Sequence, residues 1–195
     1  MPRRAIPLIA EHYYHIYNRG HNREPIFLES DNYRFFLHRV REYLIPHTAL
    51  LAYVLMPNHY HLIIKAQTDR VSHAMQLLGI SYTKAVNTRH QRTGALFQGA
   101  FQAKEIDCDE YLVPLSRYLH LNPVRAGLVA RPEDWQFSSY LTYIGLRPDS
   151  LVSVSEVLAQ FHAGDDTNPR QTSLRYRAFV EGYAVEDRQR IAHLL

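Results

Sequence analysis

The feature that most constrains the fold is an apolar run over residues 49–56, which a turn signal separates from a second apolar segment. The run has eight residues, far fewer than the ~20 that a membrane-spanning helix needs. Because apolar and polar residues do not alternate in it, residues 48–56 are predicted to form a central strand that is buried on both faces. Pro57 and Asn58 predict a turn, and residues 59–66 resume as a second strand. These segments together predict a β-hairpin.

The order of the other elements around this hairpin indicates the fold class. In chain order, the pattern predicts a strand over 12–19, a helix over 31–43 capped by Ser30 or Asp31, the hairpin, a helix over 72–92, an extended segment over 95–106 with a bulge at Gly99, and a helix that Asp107 caps and that ends at Leu121. A β-α-β-β-α-β order is the split βαβ plan. We therefore predict an α+β fold, a ferredoxin-like antiparallel sheet with helices on one face.

The chain of 195 residues is predicted to contain a catalytic core over 1–131 and a C-terminal helical extension over 132–195 that packs on it. The extension carries two weak helical patterns but no motif that indicates a chemistry. Cys108 is the single cysteine, which excludes an intramolecular disulfide framework and a cysteine-rich zinc site. With no membrane span and no signal-peptide pattern, we expect a soluble cytoplasmic protein.

The positive charge is concentrated in the middle of the chain, although the formal net charge is only +3. Residues 79–104 and 117–131 contain no acidic residue, and tyrosines and phenylalanines lie between their cations. Cations for phosphates beside rings for base stacking are typical of a single-stranded nucleic-acid groove, whereas a solvated helix face is the plainer alternative. The candidate DNA contacts are Arg19, Lys84, Arg89, Arg92, Lys104, Arg117 and Arg125.

A candidate metal site begins with His59 and His61, which are two residues apart on a predicted strand. This spacing places both imidazoles on one face of the sheet, while Tyr60 faces the other way. Such a pair can present two nitrogens to one divalent cation. In a chain with 12 histidines, an ordinary satisfied or exposed pair is an equally simple interpretation.

A candidate nucleophile lies on the helix that follows. Tyr118 and Asn122 are four residues apart, which places them one helical turn apart on the same face, and Arg125 would continue that face. Pro123 disfavours a helical conformation at Asn122, so this geometry depends on how far the helix persists. From composition and spacing alone, a core aromatic is the simpler interpretation of Tyr118, and Tyr111 is the most plausible rival nucleophile. If the two histidines and the Asn122 oxygen bound a divalent cation, the cation would polarise a phosphate for attack by the tyrosine oxygen.

Four segments in the same order resemble the REP-associated tyrosine transposases, single-tyrosine relatives of the HUH endonucleases. They are YNRGHNREPIF (17–27), YVLMPNHYHLIIK (53–65), GALFQGAFQAKEI (94–106) and SRYLHLNPVRAGLV (116–129). The resemblance implies a ferredoxin-like core, a divalent metal (Mg²⁺ or Mn²⁺), and a tyrosine that forms a 5′-phosphotyrosine with single-stranded DNA. By position it makes His59 and His61 the paired histidines, Tyr118 the nucleophile and Asn122 the ligating amide. It also implies palindromic DNA hairpins as substrates.

Two other functions remain open from the residues alone. The same sheet could be a non-catalytic module that binds single-stranded nucleic acid, in which case binding would be indifferent to metal. Alternatively, a hydrolytic metalloenzyme would use Tyr118 only as a ligand or acid and would leave no protein-linked DNA. We expect a monomer, because the extension could cover the surface that dimeric relatives use.

Overall fold

The predicted hairpin forms with the predicted bounds and belongs to a four-stranded antiparallel sheet. The computed structural model describes residues 8–106, 111–164 and 167–182. Its strands are β1 (Tyr13–Arg19), β2 (Thr48–Met56), β3 (His59–Ala66) and β4 (Gln102–Ile106). They are arranged in the order β2-β3-β1-β4, and every neighbouring pair is antiparallel. This arrangement is that of the split βαβ plan, so the predicted ferredoxin-like α+β fold class is confirmed.

Two helices connect these strands and cover one face of the sheet. The first helix, α1 (Ser30–Arg39), continues into a π-helical turn over Val40–Leu44, and α2 (Val71–Arg89) connects β3 to β4. The N-cap of α1 is Glu29 and not the predicted Ser30 or Asp31, because the Asn32 side chain accepts a hydrogen bond from the Glu29 backbone N–H. This capping box satisfies donors that the start of a helix leaves unpaired.

Strand alternation divides the core into two clusters, one on each face of the sheet. Tyr60, Leu62 and Ile64 pack with α1 and α2, while Ile63 packs with the elements on the opposite face. Burying one such aliphatic side chain contributes about 1.5–3 kcal/mol to folding. The histidine side chains of β3 share the face of Ile63, because they alternate with Tyr60.

The opposite face is covered by α3 (Leu112–Arg125) and by the elements that follow it, so the predicted placement of the helices on one face holds only for α1 and α2. The elements after α3 are the short helices α4 (Tyr140–Tyr143) and α5 (Ser155–Leu158), the longer helix α6 (Pro169–Glu181), and 3-10 turns over Pro132–Asp134 and Ala159–Phe161. Further 3-10 turns lie at His21–Arg23 and Ile45–His47. Tyr143 and Tyr176 are completely buried between α3 and these elements, so residues after 131 share a hydrophobic core with α3.

The prediction that 48–56 is a central strand is wrong, because β2 lies at an edge of the sheet. Its burial has another cause: the polypeptide after α3 runs along the free edge of β2. Leu55 N donates to the Phe137 carbonyl at 2.9 Å, and Ser139 N donates to the Tyr53 carbonyl at 3.0 Å. An unpaired strand edge invites aggregation, and here the later segment of the same chain covers it.

Three other predictions need correction or stay untested. The extended segment predicted over 95–106 is a strand only over Gln102–Ile106, and Gly99 lies in the preceding loop rather than in a bulge. The helix predicted to end at Leu121 continues through Pro123 to Arg125. The predicted cap Asp107 lies outside the described residues.

Within the ranges that the structure describes, no helix is long and apolar enough to cross a membrane.

Candidate active site

The two histidines of β3 lie side by side on the sheet face that α3 covers. The ring centroids of His59 and His61 are 5.1 Å apart, and their planes are nearly perpendicular. Tyr60 is buried on the other face against Phe36, with ring centroids 4.9 Å apart. The alternation predicted from the sequence is therefore confirmed for these three residues.

Each histidine uses its Nδ1 atom in a contact with a neighbouring side chain. Nδ1 of His59 lies 2.6 Å from Oδ1 of Asn58, and Nδ1 of His61 lies 2.8 Å from Nε2 of the buried His15. Burial lowers the pKa of His59 to about 4. Burial, together with repulsion from His15 and His59, also holds the pKa of His61 well below its usual value. Both rings are therefore neutral near pH ~7, which is the state that binds a metal.

Helix α3 brings Tyr118 to this pair of histidines. The ring centroid of Tyr118 is 6.2 Å from that of His61, edge to face, and the tyrosine is half-buried. The guanidinium carbon of Arg125 lies 5.2 Å from the Tyr118 ring centroid. Because α3 persists through Pro123, Arg125 does continue the face of Tyr118.

Asn122 lies one turn after Tyr118 on the same helix. Its amide nitrogen donates a hydrogen bond to the Tyr118 carbonyl at 3.1 Å. The Asn122 side chain thus supplies a hydrogen bond in the turn where Pro123 has no N–H to donate. The amide oxygen, the atom that could bind a cation, is not used in this bond.

An open groove of about 640 Å³ runs past the histidines at one end of the sheet. Its lining contains cations, amides and one aromatic ring but no carboxylate: Tyr17, Asn18, Arg19, Arg23, Asn58, His59, His61, Gln98, Gly99, Ala100 and Gln102. The loop after β1 forms one wall and requires a glycine at its start. A Cβ at Gly20 would lie 2.0 Å from the Glu24 carbonyl oxygen. A groove of this composition suits a polyanion with exposed bases.

The predicted cationic residues do not form a single patch. Arg19 lines the groove. Lys104 on β4 lies opposite His15 on β1 in the antiparallel sheet, and Arg125 is exposed beside Tyr118. The other three lie on the α2 side of the sheet. Lys84 is exposed on α2. Arg89 forms ion pairs with Glu29 and Asp31, and Arg92 forms one with Glu24.

Arg117 is withdrawn as a candidate DNA contact. Its residue exposure is only 5%, and its guanidinium lies 3.8 Å from the Phe179 ring centroid and donates to the Phe179 carbonyl at 3.1 Å. The residue faces α6 rather than a surface that DNA could reach. Helix periodicity alone does not reveal this, because the sequence does not show which face of α3 the later helix covers.

The donor set fits a divalent cation that also binds phosphate oxygens. Among the described residues, no group of three or more His, Cys, Asp and Glu could hold a metal by itself. Two neutral imidazoles and an amide oxygen leave coordination positions for a phosphate, and such a mixed nitrogen and oxygen set suits Mn²⁺ better than Mg²⁺. A substrate phosphate would therefore complete the site.

Among the residues around the two histidines, sequence reasoning identified Arg19 as a candidate contact but missed His15 and Tyr17. His15, Tyr17 and Arg19 alternate along β1, and this strand pairs with β3 so that His15 lies opposite Ile63 and Tyr17 opposite His61. Alternation on β1 was a usable signal, but the β1–β3 pairing was needed to show that these residues face the site. Arg23 and Asn58 had no signal beyond their position in loops.

A ferredoxin-like sheet that carries paired histidines beside a tyrosine on a helix is the arrangement that the resemblance of the sequence to the single-tyrosine transposases implies. The family model described as IS200-like transposase matches residues 9–122, which is 114 of the 195 residues. The chain therefore belongs to the IS200-like transposase family, and the resemblance noted in its sequence is confirmed. The match includes His59, His61, Tyr118 and Asn122.

A solved structure has the same fold. The structure of a REP-associated tyrosine transposase bound to a REP hairpin superposes with a TM-score of 0.63 at 22% sequence identity, covering 79% of this chain and 93% of the other. The comparison with curated proteins gave no match.

Proposed function

We propose that the protein is a metal-dependent endonuclease and strand transferase that acts on single-stranded, palindromic hairpin DNA through a 5′-phosphotyrosine intermediate. The observation that carries the proposal is the placement of Tyr118 on α3, its ring 6.2 Å from His61 on the face of the sheet that also holds His59. Membership of the transposase family supports the same class of reaction. The proposal goes beyond the family assignment because it specifies the reaction and the residues that carry it out.

Tyr118 supplies the nucleophile. Its hydroxyl oxygen forms a bond to the scissile phosphorus and loses a proton, the bond from phosphorus to the 3′-oxygen breaks, and that oxygen leaves as a protonated 3′-OH. The 5′-phosphate then stays on the tyrosine until the 3′-OH of an acceptor strand attacks it and releases Tyr118. One phosphodiester is exchanged for another at each step, so strand transfer needs no external energy source.

His59, His61 and Asn122 would hold the cation, which when bound supplies Lewis-acid polarisation of the phosphate. Arg125, whose guanidinium carbon lies 5.2 Å from the Tyr118 ring centroid, places a positive charge beside the nucleophile, where it can attract the DNA phosphate. The polar groove holds the strand, with Arg19 and Arg23 for its phosphates and Tyr17 for stacking on a base. The hairpin preference is carried over from the similar transposase, whose structure contains a REP hairpin.

The decisive experiment is covalent trapping of labelled single-stranded hairpin DNA in the presence of Mn²⁺. Wild type should form a protein–DNA adduct that survives denaturation, and Tyr118→Phe should form none. The matched control is Tyr111→Phe, which changes the other tyrosine near the start of α3 and should retain the adduct.

Each of the other outcomes would indicate a different nucleophile or a different function. An adduct that persists in Tyr118→Phe and disappears in Tyr111→Phe would assign the nucleophile to Tyr111. Cleavage without an adduct would indicate a hydrolytic metalloenzyme. Salt-dependent binding that is unaffected by metal or by His59→Ala, with no cleavage, would indicate a non-catalytic binding module.

A further inference from the structure

His15 is a completely buried histidine of β1 that contacts His61 of the candidate metal site. Its ring stacks on His61 with centroids 5.0 Å apart and planes 20° apart, and its Nε2 lies 2.8 Å from Nδ1 of His61. A hydrogen bond between two neutral imidazoles needs an N–H on one ring and a lone pair on the other. The contact therefore has two possible directions.

The two directions have opposite consequences for His61. If His15 donates, Nδ1 of His61 is the acceptor, so the proton of the neutral ring is on Nε2 and no lone pair is left for a cation. If His61 donates from Nδ1, its Nε2 keeps a lone pair and can bind a metal. Ligand histidines commonly donate their second ring nitrogen in this way to a neighbouring acceptor.

His59 provides an independent reference for the direction of such a bond. The amide nitrogen of Asn58 donates to the Arg23 carbonyl at 3.0 Å, which identifies the Asn58 atom that faces His59 as the oxygen. An amide oxygen can only accept a hydrogen bond, so Nδ1 of His59, 2.6 Å away, carries the proton. His59 is thereby held with its lone pair on Nε2, whether or not a metal is bound.

We propose that His15 is a positioning residue that accepts a hydrogen bond from Nδ1 of His61, a role that rests on the proposed function. His15 then imposes on His61 the tautomer that Asn58 imposes on His59, and both Nε2 atoms are available to one divalent cation. The arrangement also explains the burial of a polar ring in the sheet, because a buried polar group is costly unless it is hydrogen-bonded.

The first test needs no metal, and its first measurement uses the wild-type protein. Long-range ¹H–¹⁵N correlation spectra of the histidine side chains should show the Nδ1–H tautomer for both His59 and His61. His15→Phe keeps an aromatic ring but removes the acceptor, so the His61 signals should lose this tautomer while those of His59 stay the same. His15→Gln restores an acceptor oxygen and should return the His61 signals towards those of wild type.

The second test is a titration with Mn²⁺ alone. His15→Phe should weaken Mn²⁺ binding by about 10–100-fold, the loss typical of a removed second-sphere hydrogen bond, and His15→Gln should recover most of it. Hairpin affinity measured in EDTA should be equal in the three proteins, which separates positioning of the ligand from general damage to the groove.

The outcomes distinguish this role from the proposed function. An Nε2–H tautomer of His61 in wild type overturns the role of His15 even if the Phe variant does not fold. Mn²⁺ affinity that is unchanged in a folded His15→Phe also overturns it. The Nδ1–H tautomer in a wild type that binds no Mn²⁺ would reject the metal-dependent function while the direction of the hydrogen bond stands.

Discussion

Two arginines of α3 show at the residue scale how burial, and not charge, decides the role of a side chain. Arg125 is exposed and lies beside the ring of Tyr118. Arg117 is buried against Phe179, to which it is joined by a cation–π contact and a hydrogen bond. Both carry one positive charge in the same acid-free stretch of sequence. Of the two, only Arg125 is accessible to a DNA phosphate.

Replacing these arginines by alanine should therefore affect two different properties: DNA binding for Arg125 and folding stability for Arg117. Arg125→Ala should weaken hairpin binding and lower the slope of log affinity against log salt by about 1, with unfolding free energy unchanged within about 0.5 kcal/mol. Arg117→Ala should lower the unfolding free energy by about 1.5–3 kcal/mol and leave the salt slope of the folded protein unchanged. Urea unfolding and binding titrations at several salt concentrations measure both. A lower salt slope for Arg117→Ala would restore that residue as a DNA contact.

At the scale of elements, a chain of buried hydrogen bonds connects the nucleophile helix to α6 and to the sheet. The Tyr176 hydroxyl lies 2.9 Å from the Ser116 hydroxyl and 2.7 Å from Nδ1 of His120. Nε2 of His120 lies 2.8 Å from the Ser139 hydroxyl, which accepts from the Tyr53 backbone N–H at 3.0 Å. The position of α3 over the histidines thus depends on residues after 131.

Tyr176→Phe should destabilise the fold because it leaves buried His120 without that partner. We expect a loss of about 1–3 kcal/mol in unfolding free energy, measured by urea denaturation. Tyr43→Phe, at a half-buried tyrosine of the π-helical turn, is the control and should change stability by less than about 0.5 kcal/mol. Equal stability of Tyr176→Phe and wild type would show that the network does not hold α3.

The elements that could be predicted from the sequence are those whose local pattern agrees with their tertiary setting. The hairpin strands β2 and β3 have the predicted bounds because Pro57 and Asn58 separate a continuous apolar run from a second strand-forming segment. The stretch before β4 was predicted to be extended from residue 95, yet Phe97 and Phe101 pack against the core and the strand begins only at Gln102. No local pattern could show that β2 is an edge strand, because the residues that cover it lie about 80 positions later.

The candidate site was predictable to the same extent. Strand and helix spacing together with the family resemblance singled out His59, His61, Tyr118 and Asn122. The fold brings the rings of His61 and Tyr118 to 6.2 Å, while the role of Asn122 as a cation ligand stays a prediction. His15 was not found, because its role depends on the pairing of β1 with β3. Spacing within one element can be read from a sequence, whereas the partner across a ladder cannot.

At the scale of the whole molecule, the acid-free stretch of sequence does not become one basic surface. The sheet separates Lys84, Arg89 and Arg92 on the α2 side from Lys104 and Arg125 on the side of the candidate site. Acidic residues from α1 and its preceding turn neutralise part of the α2 side. A run of like charges along a chain is therefore a poor guide to a surface when strands and helices alternate.

The buried tyrosines should make the fold sensitive to alkali. Burial raises the pKa of Tyr53, Tyr60, Tyr82, Tyr143 and Tyr176 above the ordinary value. The folded state thus keeps its phenol protons to higher pH than the unfolded chain does. This contribution is complete below the unfolded pKa of ~10 and is lost as pH rises above it.

Unfolding free energy should fall above pH ~10 by about 1.4 kcal/mol per pH unit for each tyrosine that ionises only on unfolding. Urea denaturation at several alkaline pH values measures the slope, and tyrosinate absorbance should rise in step with unfolding. A flat profile, or tyrosinate absorbance from these residues in the folded protein, would contradict the effect of burial.

The position of β1 in the sheet has a consequence for how the protein meets its substrate. This strand pairs on both edges, with β3 and with β4, and it carries His15, Tyr17 and Arg19 on the side of the groove. Backbone amides in a strand that is hydrogen-bonded along both edges are among the last to exchange. We therefore expect slow deuterium uptake in β1, next to the candidate active site. Among the described segments, we therefore expect β1 and its neighbour β3, which also pairs on both edges, to be the most rigid, so that a bound DNA strand adapts its shape to the groove.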